Sequence, residues 1–151
     1  MAARILVVDD DTAMREMMSL ALRKEGHDLR VASSADEARQ AIDESTFDVI
    51  VTDIYLGDGT GLEVLEHCRE ACPEARVILV TAHGTVETAA SARQLGVYDY
   101  LAKPFDVATL VDRVATALEL GSDDGTQIEL GPESQRRRAS GATANAGAGA
   151  W

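Results

Sequence analysis

The chain has 151 residues, a net charge of −12, 46% hydrophobic residues and two cysteines. That composition fits one soluble globular domain, and the acidity argues against a protein that neutralises a nucleic-acid backbone, so no direct nucleic-acid contact is expected. Cys68 and Cys72 make no disulfide framework, no apolar stretch approaches bilayer length and no basic-then-apolar leader opens the chain; a cytoplasmic location without a membrane partner is the expectation.

The first 121 residues read as strand then helix, five times over. Residues 4–8 (Arg-Ile-Leu-Val-Val) are a β-branched run suited to a strand buried on both faces. Met14, Met17, Met18, Ala21 and Leu22 then recur at helical spacing, and Gly26 supplies the stop. Leu29 and Val31 alternate in a second strand. Ser34 and Glu37 have capping-box spacing and open a helix with Ala38, Ala41 and Ile42 on its apolar face. Residues 48–53 form a third strand, apolar in its middle and acidic at its end, and Leu62, Leu65 and Cys68 mark a third helix stopped at Pro73.

A fourth strand follows over 76–81, then a helix of small residues over 85–95 that ends at Gly96. Residues 98–102 are a shorter, more polar fifth strand. Asp106 is placed to cap a last helix with Val107, Leu110, Val111, Val114 and Leu118 on one face and Gly121 at its end. From Ser122 onward the periodicity stops. The last 30 residues, rich in Gly, Ala, Ser and Thr, bury too little to offset their ordering entropy. The expected organisation is therefore one domain over 1–121 and a disordered low-complexity tail over 122–151.

Strict alternation at this spacing predicts an α/β fold: a five-stranded parallel sheet with helices on both faces. The right-handed crossover rule favours a doubly wound, flavodoxin-like (βα)5 domain with strand order 2-1-3-4-5. Such domains bind ligands at the carboxyl ends of their strands. Here those ends carry Asp9 and Asp10, Asp53, Thr81 and Lys103. Singly, each has a plain reading: Asp11 or Thr12 caps the first helix, Thr81 is a strand residue and Lys103 is a surface charge. Helix capping does not explain a lysine and a threonine at the matching strand ends.

Clustered carboxylates are costly unless a cation neutralises them, and an oxygen-only set suits Mg²⁺. A carboxylate can also be a nucleophile that forms an aspartyl phosphate, with a metal, an ammonium, a hydroxyl and a backbone N–H stabilising the transferred group. At this point "ILVVDDD", "VIVTDIYLGDGTGLEVL", "VILVTAHG" and "GVYDYLAKPF" together resemble the receiver domain of two-component response regulators. The wording is nearest to receivers of enhancer-binding transcription regulators.

The resemblance implies that Asp53 accepts a phosphoryl group from a sensor histidine kinase or a histidine phosphotransfer protein. Asp10, Asp53 and the backbone carbonyl of Tyr55 would bind Mg²⁺, or Mn²⁺ in its place, with Asp9 acting largely through a bound water. Lys103, Thr81 and the Ala82 N–H would hold the phosphoryl oxygens, Tyr100 would be the switch aromatic, and the bond before Pro104 would be cis. Tyr55 and His83 would flank the phosphoryl group, where their bulk is expected to slow the attack of water. The implied output is a signalling switch rather than an enzyme. A downstream protein would dock on the fourth helix, fifth strand and fifth helix, with the chain a monomer or a phosphorylation-linked dimer.

One departure is visible: Gly57 stands where many receivers carry Pro, and with Gly59 it is expected to leave that loop more mobile. An alternative class, a haloacid-dehalogenase-type phosphohydrolase, needs D-x-D-x-[TV]. Asp9 and Asp11 have the spacing, but Ala13 stands at the fifth position. His67, Cys68 and Cys72 fall short of a zinc set. The remaining alternative is biological: a stand-alone receiver, or the front of a DNA-binding transcription regulator.

Overall fold

The computed structural model describes residues 3–82 and 84–121; the readings made for His83 and for residues 122–151 lie outside them. Five strand–helix units follow in order: β1 (Arg4–Val8), α1 (Thr12–Lys24), β2 (Asp28–Ala32), α2 (Ala35–Glu44), β3 (Val49–Asp53), α3 (Gly61–Ala71), β4 (Arg76–Thr81), α4 (Val86–Gln94), β5 (Asp99–Ala102) and α5 (Val107–Gly121). The strands form one parallel sheet in the expected order β2-β1-β3-β4-β5. The chain leaves β1 toward β2 on one side and returns to β3 on the other. That reversal opens a crevice at the carboxyl ends of β1 and β3.

The two-residue period of the strands builds two cores. Ile5, Val7, Val49, Val51, Ile78, Val80 and Leu101 face α1 and α5, which contribute Met18, Leu22, Leu110, Val114 and Ala117. Leu6, Val8, Ile50, Val77 and Leu79 face α2, α3 and the Ala92 side of α4. Each fully buried Leu, Ile, Val or Met adds roughly 1.5–3 kcal/mol of transfer free energy, so both helix layers hold the sheet. The two sides of the fifth strand differ: Arg113 of α5 forks Asp99 with two bonds of 2.9 Å, whereas α4 buries Ala92 alone among its residues.

Local details depart from the sequence reading. Met17 is 37% exposed, because α1 turns a narrower stripe (Met18, Ala21, Leu22) to the sheet than its apolar spacing suggests. The expected Ser34–Glu37 capping box is half formed: Ser34 accepts from the Glu37 N–H, but the Glu37 carboxylate reaches Ser33 N and Oγ instead. A full box is found at Thr60–Glu63, where the pattern T-x-x-E carried the signal. Cys72 is the buried C-cap of α3, with Cys68 inside the helix.

Candidate functional site

β1, β3, β4 and β5 place the predicted residues at one edge of the sheet, and the backbone ladder continues past the strands to fix them. Asp9 N–H donates to Ala32 O (3.2 Å), Ile54 N–H to Val80 O (3.1 Å) and Lys103 N–H to Thr81 O (2.8 Å). Lys103 thus enters from the end of β5 over the ends of β4 and β3. Its ammonium donates to Asp9 Oδ2 at 3.1 Å and to Asp53 Oδ2 at 2.9 Å. The Lys103–Pro104 bond is cis, as expected.

Burial across the set is uneven. Asp9 is fully buried, Asp53 is 8% exposed and Thr81 is 1% exposed, while Asp10 faces solvent. Asp9 Oδ1 accepts from Asp11 N–H (2.9 Å), and Asp53 Oδ1 accepts from Tyr55 N–H (3.2 Å). Burial pushes the Asp9 pKa above its usual value; the Asp11 N–H and Lys103 oppose the rise and the charge of Asp53 adds to it. Burial alone would depress the Lys103 ammonium, but its bonds to Asp53 and Asp9 outweigh that and hold its pKa above the ordinary lysine value.

Asp9, Asp10 and Asp53 each present an oxygen, all within 4.8 Å of one another. Three carboxylates against one ammonium leave an excess of two negative charges. Hard oxygen donors with that excess suit a small divalent cation, so the residues fit the metal that the resemblance implies. Asp11 belongs to the helix instead: as N-cap of α1, its carboxylate accepts from Ala13 N–H (3.0 Å) and Met14 N–H (3.3 Å).

The flanking loops are shaped by contact. A side chain on Gly61 would overlap the Asp53 carbonyl, and Gly61 N–H donates to Ile54 O at 2.7 Å, so the peptide behind Asp53 is wedged in place. Gly57 sits in the left-handed region (φ +73°), where glycine is at ease. The loop it belongs to is closed by Leu56 N–H to Gly59 O (3.1 Å) and a bridge between Tyr55 and Thr60. Tyr55 is 45% exposed beside the acidic set. Ala82 is exposed just past Thr81. Tyr100 is half-buried on the α2–α3–α4 face; its hydroxyl shares a hydrogen bond with Thr88 Oγ1 (3.2 Å) and fills the space a side chain on Gly84 would need.

Asp9, Asp10, Asp53, Thr81 and Lys103 therefore lie together as expected, with Tyr55 and Ala82 at the rim and Tyr100 behind the β4–α4 loop. Two neighbours were not anticipated. Arg15 of α1 donates to the Asp9 carbonyl (2.8 Å), and Asp58 of the β3–α3 loop reaches α2. Arg15 lies one turn past the Asp11 cap, a spacing that carried a hint; Asp58 had no local signal.

Fold and site together define the class: a doubly wound α/β domain with an acidic, lysine-bridged pocket at the carboxyl edge of its sheet. The chain belongs to the response regulator receiver domain family, whose model matches residues 5–115. Receivers are the phosphoacceptor signalling domains of two-component systems. The chain is 35% identical over 127 residues to the response regulator protein PilR of Pseudomonas aeruginosa, covering 84% of this chain and 28% of that protein. It is 37% identical to the DNA-binding transcriptional regulator NtrC of Azospirillum brasilense, over 78% of this chain and 24% of that one. The chain thus spans about a quarter of the length of these curated relatives. Among solved structures it is similar to a CheY-like receiver domain protein of Methanospirillum hungatei, with TM-score 0.80, 30% identity, and coverage of 83% of this chain and all of that one. No described helix is long and apolar enough to cross a membrane.

Proposed function

We propose that Asp53 is the phosphoacceptor of this receiver, taking a phosphoryl group from the phosphohistidine of a sensor kinase or a histidine phosphotransfer protein. The observation that carries the reading is Lys103 bridging Asp9 and Asp53 at 3.1 and 2.9 Å beside the hydroxyl-bearing Thr81. Asp10, Asp53 and the Tyr55 carbonyl would hold Mg²⁺ (or Mn²⁺), with Asp9 acting through water. Bound there, the metal supplies positive charge against the carboxylates and the transferred oxygens.

The protein's own groups do the rest. An oxygen of Asp53 attacks phosphorus as the bond to the donor imidazole nitrogen breaks; the donor ring, protonated on its other nitrogen beforehand, leaves as neutral imidazole. Lys103 has three N–H donors and commits two to Asp9 and Asp53, so the third is available to a phosphoryl oxygen. The Thr81 hydroxyl and the Ala82 N–H serve the remaining oxygens. Tyr55 at the rim screens the product from water; the same reading for His83 lies outside the described residues.

The acyl phosphate carries roughly −1.5 to −2 of charge where the Asp53 carboxylate carried −1, so the net gain at this site is about −0.5 to −1. The chain responds by drawing Thr81 and Lys103 inward, and Tyr100 follows Thr81. The α4–β5–α5 face then changes for its protein partner, and α4 yields first because it buries Ala92 alone. A longer protein is the context that the matched relatives favour: PilR and NtrC are regulators of which this chain spans about a quarter. The receiver would then act through a DNA-binding output module. The test is labelling by a phosphohistidine donor with Mg²⁺. Asp53→Asn is expected to abolish it, and stoichiometric labelling of that variant refutes the assignment.

A further inference from the structure

The first N–H groups of a helix have no partner within it and must find one nearby. In α2, Ser34 serves only the Glu37 N–H, and Glu37 has turned to Ser33. The N–H groups of Ala35 and Asp36 are taken instead by Asp58, from 23 and 22 residues away: Oδ1 accepts from Ala35 at 2.8 Å and Oδ2 from Asp36 at 3.0 Å. Those two bonds hold the Asp58 carboxyl below the usual carboxylate range. The carboxylate also meets the positive end of the helix dipole.

The loop that carries Asp58 touches the acidic set at its other side. The position a side chain on Gly57 would take is 3.8 Å from Asp10 Oδ2, and that on Gly59 is 3.2 Å from the Ala35 Cβ. Between these contacts the backbone runs Tyr55–Leu56–Gly57, closed by the Leu56–Gly59 bond and the Tyr55–Thr60 bridge. The fold ties this loop to α2 at one end and to the peptide behind Asp53 at the other.

We infer that Asp58 is a positioning residue for the metal site: by capping α2 from the β3–α3 loop it fixes the Tyr55 carbonyl and couples the start of α2 to occupancy of the acidic set. The inference rests on the proposed role of that carbonyl as a ligand. Coupling is reciprocal, so if the cap favours the metal, the metal strengthens the cap. Groups that orient metal ligands typically change affinity by about 10–100-fold when removed, which sets the size of the effect to look for.

The experiment is a Mg²⁺ titration followed by the amide resonances of Tyr55 and Leu56, with hydrogen exchange at Ala35 and Asp36 measured in the same samples. Asp58→Ala is expected to weaken Mg²⁺ about tenfold. Asp58→Asn, which keeps one acceptor oxygen, should fall between it and the wild type. Ser34→Ala removes the local cap of the same helix and is the stability control; its Mg²⁺ affinity should stay near wild type. Mg²⁺ should slow exchange at Ala35 and Asp36 in the wild type and leave it unchanged in Asp58→Ala. Wild-type Mg²⁺ affinity in Asp58→Ala overturns the positioning role alone. An equal loss in Ser34→Ala overturns it too, because the effect would then be one of helix stability. Absence of any Mg²⁺ response in the wild-type protein refutes the metal reading, and this inference with it.

Discussion

Replacing Lys103 with Met keeps most of the side-chain stem and removes the charge that bridges Asp9 and Asp53. At 3.1 and 2.9 Å, with an effective dielectric near 20, each attraction is worth on the order of 5 kcal/mol before desolvation is subtracted. The Lys103 side chain is only 13% exposed, so its desolvation offsets a large part. A firmer limit comes from the variant's escape route, because buried Asp9 can take up a proton. Starting from the ordinary value of 3.8, that uptake costs at most about 4.4 kcal/mol at pH 7 and about 1.6 kcal/mol at pH 5.

Lys103→Met should therefore lose about 3–4 kcal/mol at pH 7 and no more than about 1.6 kcal/mol at pH 5. For a domain of this size, the loss at neutral pH corresponds to a Tm lower by roughly 12–16 °C. The assay is urea unfolding followed by far-ultraviolet circular dichroism at both pH values, with and without millimolar Mg²⁺. The metal should restore more stability to the variant than it adds to the wild type, since it supplies the missing positive charge. A loss under about 1 kcal/mol at pH 7, or one that does not shrink on acidification, refutes the reasoning.

Two further perturbations probe the frame around the site. Gly61→Ala puts a methyl into the Asp53 carbonyl and 3.1 Å from the Ile54 Cα, where the neighbours are backbone. It should cost about 1–3 kcal/mol or more and slow phosphoryl acceptance. A variant with wild-type stability and labelling rate would contradict the wedge. His27 accepts from the Ala3 N–H through Nδ1 at 3.3 Å, which requires the neutral ring, and burial lowers its pKa from 6.5. Its contribution is full above that value and is lost as the pH falls through the lower folded-state value. His27→Gln should flatten that part of the urea midpoint's decline between about pH 7.5 and 5.5, and an unchanged slope would refute the assignment.

The fold was legible because each strand has its own two-residue period and each helix its own punctuation; once five units alternate, chain chirality leaves little choice of strand order. The strand-end residues were legible for the same reason, since Asp9, Asp53, Thr81 and Lys103 are placed by topology alone. What escaped depends on contacts that no local pattern encodes. Met17 lies on the apolar stripe of α1 but at the edge that the sheet does not reach. Glu37 had two acceptable donors, at Ser33 and Ser34, and spacing alone does not separate them. Asp58 sits in a glycine-rich loop that reads as turn chemistry, while its partners are more than 20 residues away.

The wedge of Gly61 against Asp53 also gives the site a direction. Behind Asp53, the peptide is closed by the Thr52 hydroxyl on the Asp53 carbonyl (3.0 Å), the Gly61 contact and the Ile54–Gly61 bond. In front lies the β4–α4 side, with Gly84 under the Tyr100 hydroxyl and a helix anchored by a single alanine. If Asp53 is the acceptor proposed above, it would work like a piston with its back to a wall: strain at its carboxylate would be relieved toward α4 and β5 rather than into the closely packed backbone behind it.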